Sequence, residues 1–305
     1  MIKIFFNYLV FPGFLFGACA GLIAGWIDRK VTARIQWRVG PPWYQNFVDI
    51  IKLSGKDVIV PQGASRLTFL VSPFLGLLSV ILVATILGSA VRQPLESFVG
   101  DLIVVVYLLV IPAIAMIVGA SSSRNPFASM GASREMKLVL GYELPFILSI
   151  ISVIIKSAGS IQLGSILNHQ INYGSNLLSC SGIAAFIAVI FCMQAKLGLV
   201  PFDMSEAEQE LMAGTCIEYS GLLLAAIKLT KSIMLYTLPL LLIILFWGSN
   251  LSPLALIGKY TAILVIIILI KNTNPRLRID QALRFFWGPV TILACIAVVL
   301  ALLGL

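Results

Sequence analysis

Long uncharged and mostly apolar stretches alternate along the chain with shorter segments that carry nearly all of its charges. A helix needs about 20 apolar residues to cross the hydrocarbon core of a bilayer, and these stretches are of that order of length. The pattern therefore predicts an all-α, polytopic membrane protein that forms a single transmembrane bundle over residues 1–305. The eight predicted transmembrane helices are residues 4–27, 67–91, 102–122, 136–157, 182–200, 219–247, 253–270 and 285–305.

Charged residues mark three of these predicted spans. The fourth contains Glu143, the fifth has Lys196 near its end, and the sixth carries Lys228 and Lys231 three residues apart. The sixth is also longer than the membrane requires, so we expect it to tilt or to extend beyond the bilayer.

The segment between the first and second spans is too long for a simple turn. After Pro41 and Pro42, aromatic and aliphatic residues are interleaved with polar ones such as Asp49 and Lys52, at close to helical spacing. This pattern predicts an amphipathic helix in the first cytoplasmic loop that lies in the membrane interface. The alternative is a helix that packs only on its own bundle.

The composition agrees with a lipid environment. Hydrophobic residues make up 59% of the 305 positions and charged residues only 11%, against roughly 25% charged in a soluble domain. A net charge of +8 would suggest nucleic acid in a soluble protein. In membrane proteins, however, Lys and Arg accumulate in the cytoplasmic loops, so no nucleic-acid binding is expected.

The basic residues also predict the orientation of the chain. The segments after the first, third, fifth and seventh spans hold fifteen Lys and Arg residues, whereas the loops of the opposite side show only Lys3 and Arg92. Because positive charge stays on the cytoplasmic side, we expect the long loops in the cytoplasm and both termini outside.

The residues that commonly build metal sites and catalytic centres are sparse. The five cysteines form no C-x-x-C pair of the kind that iron–sulfur clusters use. The single histidine, His169, lies in a polar stretch, which favours a solvated loop residue over a metal ligand. No nucleophile elbow, phosphate loop or Ser-His-Asp set appears. We therefore expect no metal, no cofactor and no catalysis by this chain alone.

An acidic segment joins the fifth and sixth spans. Residues 201–210 contain four carboxylates, and Glu218 follows shortly after them. If this segment is helical, the spacing places Asp203, Glu206 and Glu210 on one face. Like charges held this close raise one another's pKa, as a proton-accepting row near neutral pH would require. The alternative is an exposed acidic loop, against which we weigh the apolar context and the adjoining spans.

Glu143 is the sharpest single feature of the sequence. An acid within an apolar span costs about 3 kcal/mol or more to insert and by default marks an ion path. Pro145, two residues later, should disrupt the helical ladder and free carbonyl groups for water. The alternative is a purely structural ion pair of Glu143 with Lys228 or Lys231.

Several motifs follow one another in order along nearly the whole chain. They are Asp28-Arg29-Lys30, Arg38-Val39-Gly40-Pro41-Pro42, Asp49 with Lys52-Leu53, Gly131-Ala132-Ser133-Arg134-Glu135, Tyr142-Glu143-Leu144-Pro145, Pro201-Phe202-Asp203 with Glu206-Ala207-Glu208, Glu218-Tyr219-Ser220, and Pro275-Arg276 with Asp280-Gln281. With these motifs the chain resembles the H-subunit family, the membrane subunits of complex I and of energy-converting (group 4) membrane-bound nickel–iron hydrogenases.

The resemblance implies two groups of functional residues. One is a row of ionisable groups that relays protons toward antiporter-like subunits, and it comprises Glu135, Glu143, Asp203, Glu206, Glu208, Glu210, Glu218, Lys228 and Lys231. The other is a cytoplasmic platform that contacts the soluble redox arm, and it comprises Arg34, Arg38, Pro41, Pro42, Asp49, Lys52, Arg134, Arg276, Arg278 and Asp280.

The first loop favours the hydrogenase branch of that family. Quinone-reducing members commonly have Arg-x-Gly-Pro-Asn followed by a Gly-rich stretch, whereas here Pro42 is followed by Trp43-Tyr44-Gln45. The resemblance then implies a non-catalytic subunit of a ferredoxin-linked nickel–iron hydrogenase that couples redox chemistry to H⁺ or Na⁺ translocation in the cell membrane of a prokaryote. The alternative is the quinone-chamber membrane subunit of NADH-quinone oxidoreductase, that is, of complex I.

Partners follow from the same resemblance. They are the hydrogenase large and small subunits, a ferredoxin-like iron–sulfur subunit and antiporter-like membrane subunits, with the iron–sulfur clusters and the nickel–iron centre held in those partners, and membrane lipid around the bundle. Two further classes stay open: a stand-alone secondary transporter, which internal repeats would favour, and a structural anchor, which should tolerate replacement of Glu143 by Gln.

Overall fold

The computed structural model describes residues 2–304, with the side chains of all of these except 2–5, 96, 208 and 209. Within that part of the chain every regular element is a helix, as the hydrophobic pattern predicts. The α-helices are α1 Ile2–Leu9, α2 Phe14–Ile35, α3 Gln45–Ser54, α4 Arg66–Arg92, α5 Asp101–Leu108, α6 Ile111–Ser122, α7 Pro126–Lys156, α8 Leu163–Tyr173, α9 Cys180–Lys196, α10 Glu208–Leu211, α11 Gly221–Phe246, α12 Pro253–Thr273, α13 Ile279–Phe285 and α14 Thr291–Leu302.

Helices of membrane-spanning length account for most of the predicted spans. Among the described residues, seven segments are long and apolar enough to cross a bilayer: Phe6–Ile35, Arg66–Arg92, Asp101–Ser122, Pro126–Lys156, Gly221–Phe246, Pro253–Thr273 and Ile279–Leu302. The fifth predicted span, residues 182–200, coincides with α9, which is apolar but only 17 residues long. A polytopic all-α membrane protein is therefore confirmed, and the eighth crossing stays a prediction.

Two prolines act differently from one another within the spans. The third span divides into α5 and α6 just before Pro112, because proline has no N–H to bond to the preceding turn. The loss of an N–H at Pro145 does not end the helix, since α7 continues through it to Lys156, and the freeing of carbonyl groups for water stays a prediction. Within this continuous helix, the hydroxyl of Ser149 donates a hydrogen bond of 2.8 Å to the carbonyl of Pro145.

Two helices also extend beyond the predicted spans. Helix α7 begins at Pro126, well before the predicted start at residue 136, because Asn125 caps its first turn by accepting a hydrogen bond from the amide of Phe127. Helix α2 continues past residue 27 to Ile35. Its Asp28 forms a 2.7 Å ion pair with Lys271 at the end of α12, so these charged turns are fastened to the bundle.

Helix α11 is the centre of the bundle. From residue 233 to its end at Phe246 it is buried almost throughout, and it packs against α2, α3, α4 and α12. Small residues allow helices in a membrane to approach closely. Gly21 of α2 lies directly against the backbone of Ser232 in α11, where any added Cβ atom would overlap that backbone.

The loops that bear most of the motifs meet at one end of the bundle. The amide of Leu277 donates a 3.1 Å hydrogen bond to the carbonyl of Pro201, and the amide of Ile59 donates one of 2.9 Å to the hydroxyl of Ser220. Three connections that are distant in sequence therefore form one surface, which we call the loop face.

Helix α3 lies within the stretch for which an amphipathic helix was predicted. Its Asn46 is buried and donates a 2.8 Å hydrogen bond to the carbonyl of Leu22 in α2, while Ile51 is exposed. One side of α3 thus packs on the bundle, and its place in the membrane interface stays a prediction. The expectation of a solvated loop at His169 is wrong, because this residue lies in α8 and stacks on Tyr173.

Candidate functional site

The acidic connection between α9 and α11 is folded into the bundle without forming a helix over most of its length. Residues 197–207 are irregular, and only the short α10 and a 3-10 helix at Gly214–Cys216 follow them before α11. The predicted helical face of Asp203, Glu206 and Glu210 is therefore wrong. Gly198 and Gly214 adopt left-handed backbone angles, which turn the chain where a helix would have continued.

This connection is also largely buried. Phe202 is 1% exposed and stacks between Phe285 and Phe286 of the last span. The carboxylate side chain of Asp203 is 14% exposed and that of Glu206 is 29% exposed, whereas that of Glu210 is 61% exposed. Of these three carboxylates, only that of Glu210 therefore fits the alternative of a solvated acidic loop.

A glycine of α7 permits the connection to reach the bundle interior. A Cβ atom added to Gly131 would lie 2.9 Å from both the carbonyl oxygen of Ser205 and the amide nitrogen of Thr215. The connection thus passes over α7 at a contact distance that only glycine allows. This contact brings Ser205 and Glu206 next to Glu135, one turn further along α7.

Each of four carboxylates at the loop face has its own donor. Asp203 binds Arg276 at 2.9 Å, Glu210 binds Arg134 at 2.6 Å, and Glu206 forms an ion pair with Lys231. Glu218 accepts a 2.5 Å hydrogen bond from the side-chain amide of Asn125. The acids are therefore a set of separate pairs rather than a cluster of mutually repelling charges.

Glu143 has a partner that sequence reasoning missed. Its carboxylate pairs with Lys196 of α9, and not with Lys228 or Lys231 as the alternative supposed. The Lys196 side chain is completely buried, and its ammonium group lies 4.9 Å from the ring centre of Tyr142 and 4.6 Å from that of Phe146. Aromatic faces attract a cation most strongly when water is excluded, so this lysine is held by the carboxylate and both rings.

A small cavity connects the ion pairs. It has a volume of about 50 Å³, enough for one or two waters at about 30 Å³ each. Its polar lining comprises Glu135, Lys196, Ser205, Glu206, Thr215, Thr230 and Lys231. Members of the Glu143–Lys196 pair and of the Glu206–Lys231 pair therefore face the same space, which we call the inner cavity.

A second cavity, of about 230 Å³, lies at the loop face. Four predicted platform residues, Arg134, Arg276, Arg278 and Asp280, line it together with Asp203 and Glu210. The two residue groups that the sequence kept apart thus meet here, through the ion pairs Asp203–Arg276 and Glu210–Arg134.

The local environment shifts the pKa values of groups in this connection in opposite directions. Burial raises the pKa of Asp203, although the nearby charge of Arg276 opposes the shift. Burial alone would raise the pKa of Glu206 too, but the charge and hydrogen bond of Lys231 outweigh it and lower the pKa. The expectation that neighbouring acids raise one another's pKa is therefore wrong for Glu206. Burial raises the pKa of the Cys216 thiol to about 12, so it stays protonated and donates to Glu206.

The other predicted relay and platform residues differ in their exposure to solvent. Lys228 is exposed and does not line the inner cavity. The side chain of Glu208 lies outside the described residues. In the platform group, Asp49 pairs with Arg29 at 3.3 Å, and Pro41 accepts a 3.1 Å hydrogen bond from the indole of Trp26. The exposed platform residues are Arg34, Arg38, Pro42, Lys52, Arg276, Arg278 and Asp280.

Residues 7–302 match the family model described as NADH dehydrogenase. The H-subunit of the NADH-quinone oxidoreductase of Thermomicrobium roseum is 34% identical over 315 aligned positions, which cover 93% of this chain and 92% of the relative. The H-subunit of the same enzyme from Geobacillus thermodenitrificans is 28% identical, with 90% and 86% covered.

A solved structure is similar over nearly the full length. It belongs to the membrane-bound sulfane sulfur reductase, an archaeal respiratory membrane complex, and it aligns with a TM-score of 0.87 at 29% sequence identity. The alignment covers 98% of this chain and 99% of the other. Within the described residues, no group of three or more His, Cys, Asp and Glu side chains is arranged to hold a metal ion.

Proposed function

The chain belongs to the NADH dehydrogenase family, the H-subunit family of complex I-type respiratory assemblies, and on that premise we propose that its internal ion pairs relay protons between the loop face and the rest of the membrane arm. The relay we propose comprises Glu135, Glu143, Lys196, Glu206 and Lys231, with Asp203, Glu210 and Glu218 at the loop face.

One observation supports this proposal above the others. The inner cavity is lined by groups from two separate ion pairs and by the further acid Glu135. Two of these groups, Lys196 and Lys231, can give up a proton and two, Glu135 and Glu206, can accept one. Water in a cavity of this size bridges donors and acceptors that do not touch directly.

The pairs also explain how charge moves without leaving an isolated ion in the apolar bundle. When a proton reaches Glu206, its carboxylate becomes neutral and the Lys231 ammonium loses its partner. An ammonium group that loses its counter-ion at the edge of an apolar bundle is disfavoured, so Lys231 passes a proton through the cavity toward Glu135 or toward the Glu143–Lys196 pair. Lys231 then takes up the proton held by Glu206, which restores the Glu206–Lys231 pair. Each transfer restores one pair as it disrupts the next.

The loop face supplies the entrance. Asp203 holds its proton at higher pH than an ordinary aspartate, because burial raises its pKa. The side chain of its partner Arg276 is 43% exposed to solvent. A soluble partner that binds Arg276 or Arg134 would release Asp203 or Glu210, respectively, from its cation. We therefore assign the exposed platform residues to docking of the soluble arm, on the cytoplasmic side of a prokaryotic cell membrane.

For the reaction of that soluble arm, we keep the ferredoxin-linked nickel–iron hydrogenase implied by the first loop, with its large, small and iron–sulfur subunits and antiporter-like neighbours. The similarity to the sulfane sulfur reductase complex over almost the full length supports reduction of sulfane sulfur as a second candidate. Assays of the purified assembly for hydrogen evolution, sulfide release and quinone reduction distinguish these reactions, and each leaves the relay proposal unchanged.

The relay itself is tested in the intact assembly reconstituted into vesicles. Glu143→Gln should abolish most redox-driven proton movement, read by a pH-sensitive dye, while electron transfer between soluble substrates continues. Asp57→Asn, which changes an exposed acid of the first loop, is the control and should behave as the wild type. Full proton movement in the Glu143→Gln assembly would overturn the proposal and favour a structural anchor.

A further inference from the structure

An apolar groove of about 560 Å³ runs along the outside of the bundle, away from both polar cavities. It lies between α2, α11 and α12, and the end of α4 closes it. Phe16 and Ile23 of α2 and Ile257 of α12 form exposed parts of its wall. None of these residues belongs to the proposed relay or to the loop face.

The length of the groove matches one leaflet of a bilayer. Its lining on α2 extends from Phe16 to Ile27, which at 1.5 Å per residue corresponds to about 16 Å. Half of the hydrocarbon core of a bilayer is about 15 Å thick. An extended acyl chain of one leaflet therefore fits the groove lengthwise.

One end of the groove carries a cation. Arg92, the last residue of α4, is the only charged side chain among the described residues that line it. Gly88, one turn earlier, lies against Pro12 before the start of α2, so Arg92 is at the end opposite Ile27. Arg92 is exposed and makes no ion pair within the described part of the chain. It is also at the membrane face opposite the loop face, where basic residues are disfavoured unless they have a role.

From this combination we infer that the groove binds one acyl chain of a membrane phospholipid, whose phosphate is held by the guanidinium group of Arg92. Arginine binds phosphate with paired, charge-assisted hydrogen bonds, and the apolar wall accommodates the chain. An isoprenoid quinone would fit the apolar groove, but it has no anionic group that Arg92 would bind.

Photo-crosslinking of the intact complex tests the inference. The complex is reconstituted into phosphatidylcholine vesicles that contain phosphatidylglycerol with a diazirine in one acyl chain, and adducts are mapped by peptide mass spectrometry. We expect adducts on α2 between residues 16 and 27 and on the facing part of α12. Arg92→Gln should reduce the adduct yield there about tenfold, in line with the loss of charged hydrogen bonds.

Matched variants separate the groove from general lipid contact. Cys19→Trp places a large side chain in the groove wall and should abolish the adducts, whereas Cys295→Trp changes an exposed cysteine elsewhere and should not. Arg66→Gln removes the cation at the other end of α4 and should also leave the yield unchanged. Adducts spread evenly over all lipid-facing helices, equal effects in the controls, or an absence of groove adducts because a protein helix covers the site would each overturn the inference.

Discussion

Lys196 and Glu143 form an ion pair between α9 and α7, with the lysine side chain fully buried and the glutamate side chain 18% exposed. The two residues are far apart in sequence, and each lies in a segment that is otherwise apolar. Each of these two charges is stabilised by the other, because either alone would be an uncompensated charge in an apolar interior.

Removal of one member of this pair should be more harmful than removal of both. We expect Lys196→Met to destabilise the assembly by about 3–5 kcal/mol, the usual cost of breaking a buried pair. The double variant Glu143→Gln with Lys196→Met should recover most of that stability, because no charge is left unpaired. Thermal unfolding in detergent measures both effects.

The same double variant separates packing from proton relay. Although it is stable, it should fail to couple electron transfer to proton movement, since both exchangeable groups are gone. Recovery of transport together with stability would mean that the pair serves only to hold α7 and α9 together.

Lys228 and Lys231 should differ in their effect on transport. They lie three residues apart on α11, but only Lys231 reaches the inner cavity and pairs with Glu206. We expect Lys231→Met to lower redox-driven proton uptake about tenfold or more, as for the loss of a charged hydrogen bond, and Lys228→Met to leave it unchanged. Equal losses in vesicle assays would exclude the cavity as the path.

Stability should depend on pH with opposite signs for Glu206 and Asp203. The pKa of Glu206 is lowered from 4.5, so its ionised form stabilises the fold above that pH, and the contribution is lost as the pH falls through the lowered pKa. The pKa of Asp203 is raised from 3.8, so its ionised form costs stability at neutral pH, and the cost disappears once the pH falls below 3.8.

Two neutral replacements check these signs. At pH 7, Glu206→Gln should lower the Tm by about 2–4 °C for each kcal/mol lost, whereas Asp203→Asn should leave the Tm unchanged or raise it. Asp203→Asn should converge on the wild type as the pH falls below 3.8, and Glu206→Gln only as the pH falls through the lowered pKa of Glu206, below 4.5. A loss of Tm for Asp203→Asn at neutral pH would show that its pair with Arg276 outweighs burial.

Two helical glycines provide a test of the close contact at the acidic connection. Gly131→Ala places a Cβ atom 2.9 Å from Ser205 and Thr215, whereas a Cβ atom at Gly258 of α12 meets nothing within 4 Å. We expect Gly131→Ala to destabilise the protein by about 1–3 kcal/mol through overpacking and to weaken proton movement. Gly258→Ala should be neutral or stabilising by up to about 1 kcal/mol, as read by thermal unfolding.

Sequence reasoning recovered what depends on local composition. The spans follow from apolar length, and Glu143 is evident because an acid inside an apolar span by default marks an ion path. Lys196 carries the same signal, since an ionisable residue inside a span is a functional candidate by default, yet its position near the predicted end of the fifth span places it among the basic residues that predict the orientation.

The shape of the acidic connection required information that spacing does not contain. The helical periodicity of Asp203, Glu206 and Glu210 predicts a helix. Instead, Gly198 and Gly214 turn the chain, and the side chain of Phe202 packs against two aromatic rings of the last span. The partner of each acid is likewise a result of tertiary packing, because the three cations that bind them come from three different elements.

The contact between Gly21 and Ser232 limits what α11 can do. With the two backbones touching at that point, the helix has no room to rotate or slide without a collision against α2. The backbone of Lys231, the neighbour of Ser232, is therefore fixed, and only its flexible four-carbon side chain can change conformation. Energy coupling through this subunit would then depend on the rearrangement of charged side chains, while the helices keep their positions relative to one another.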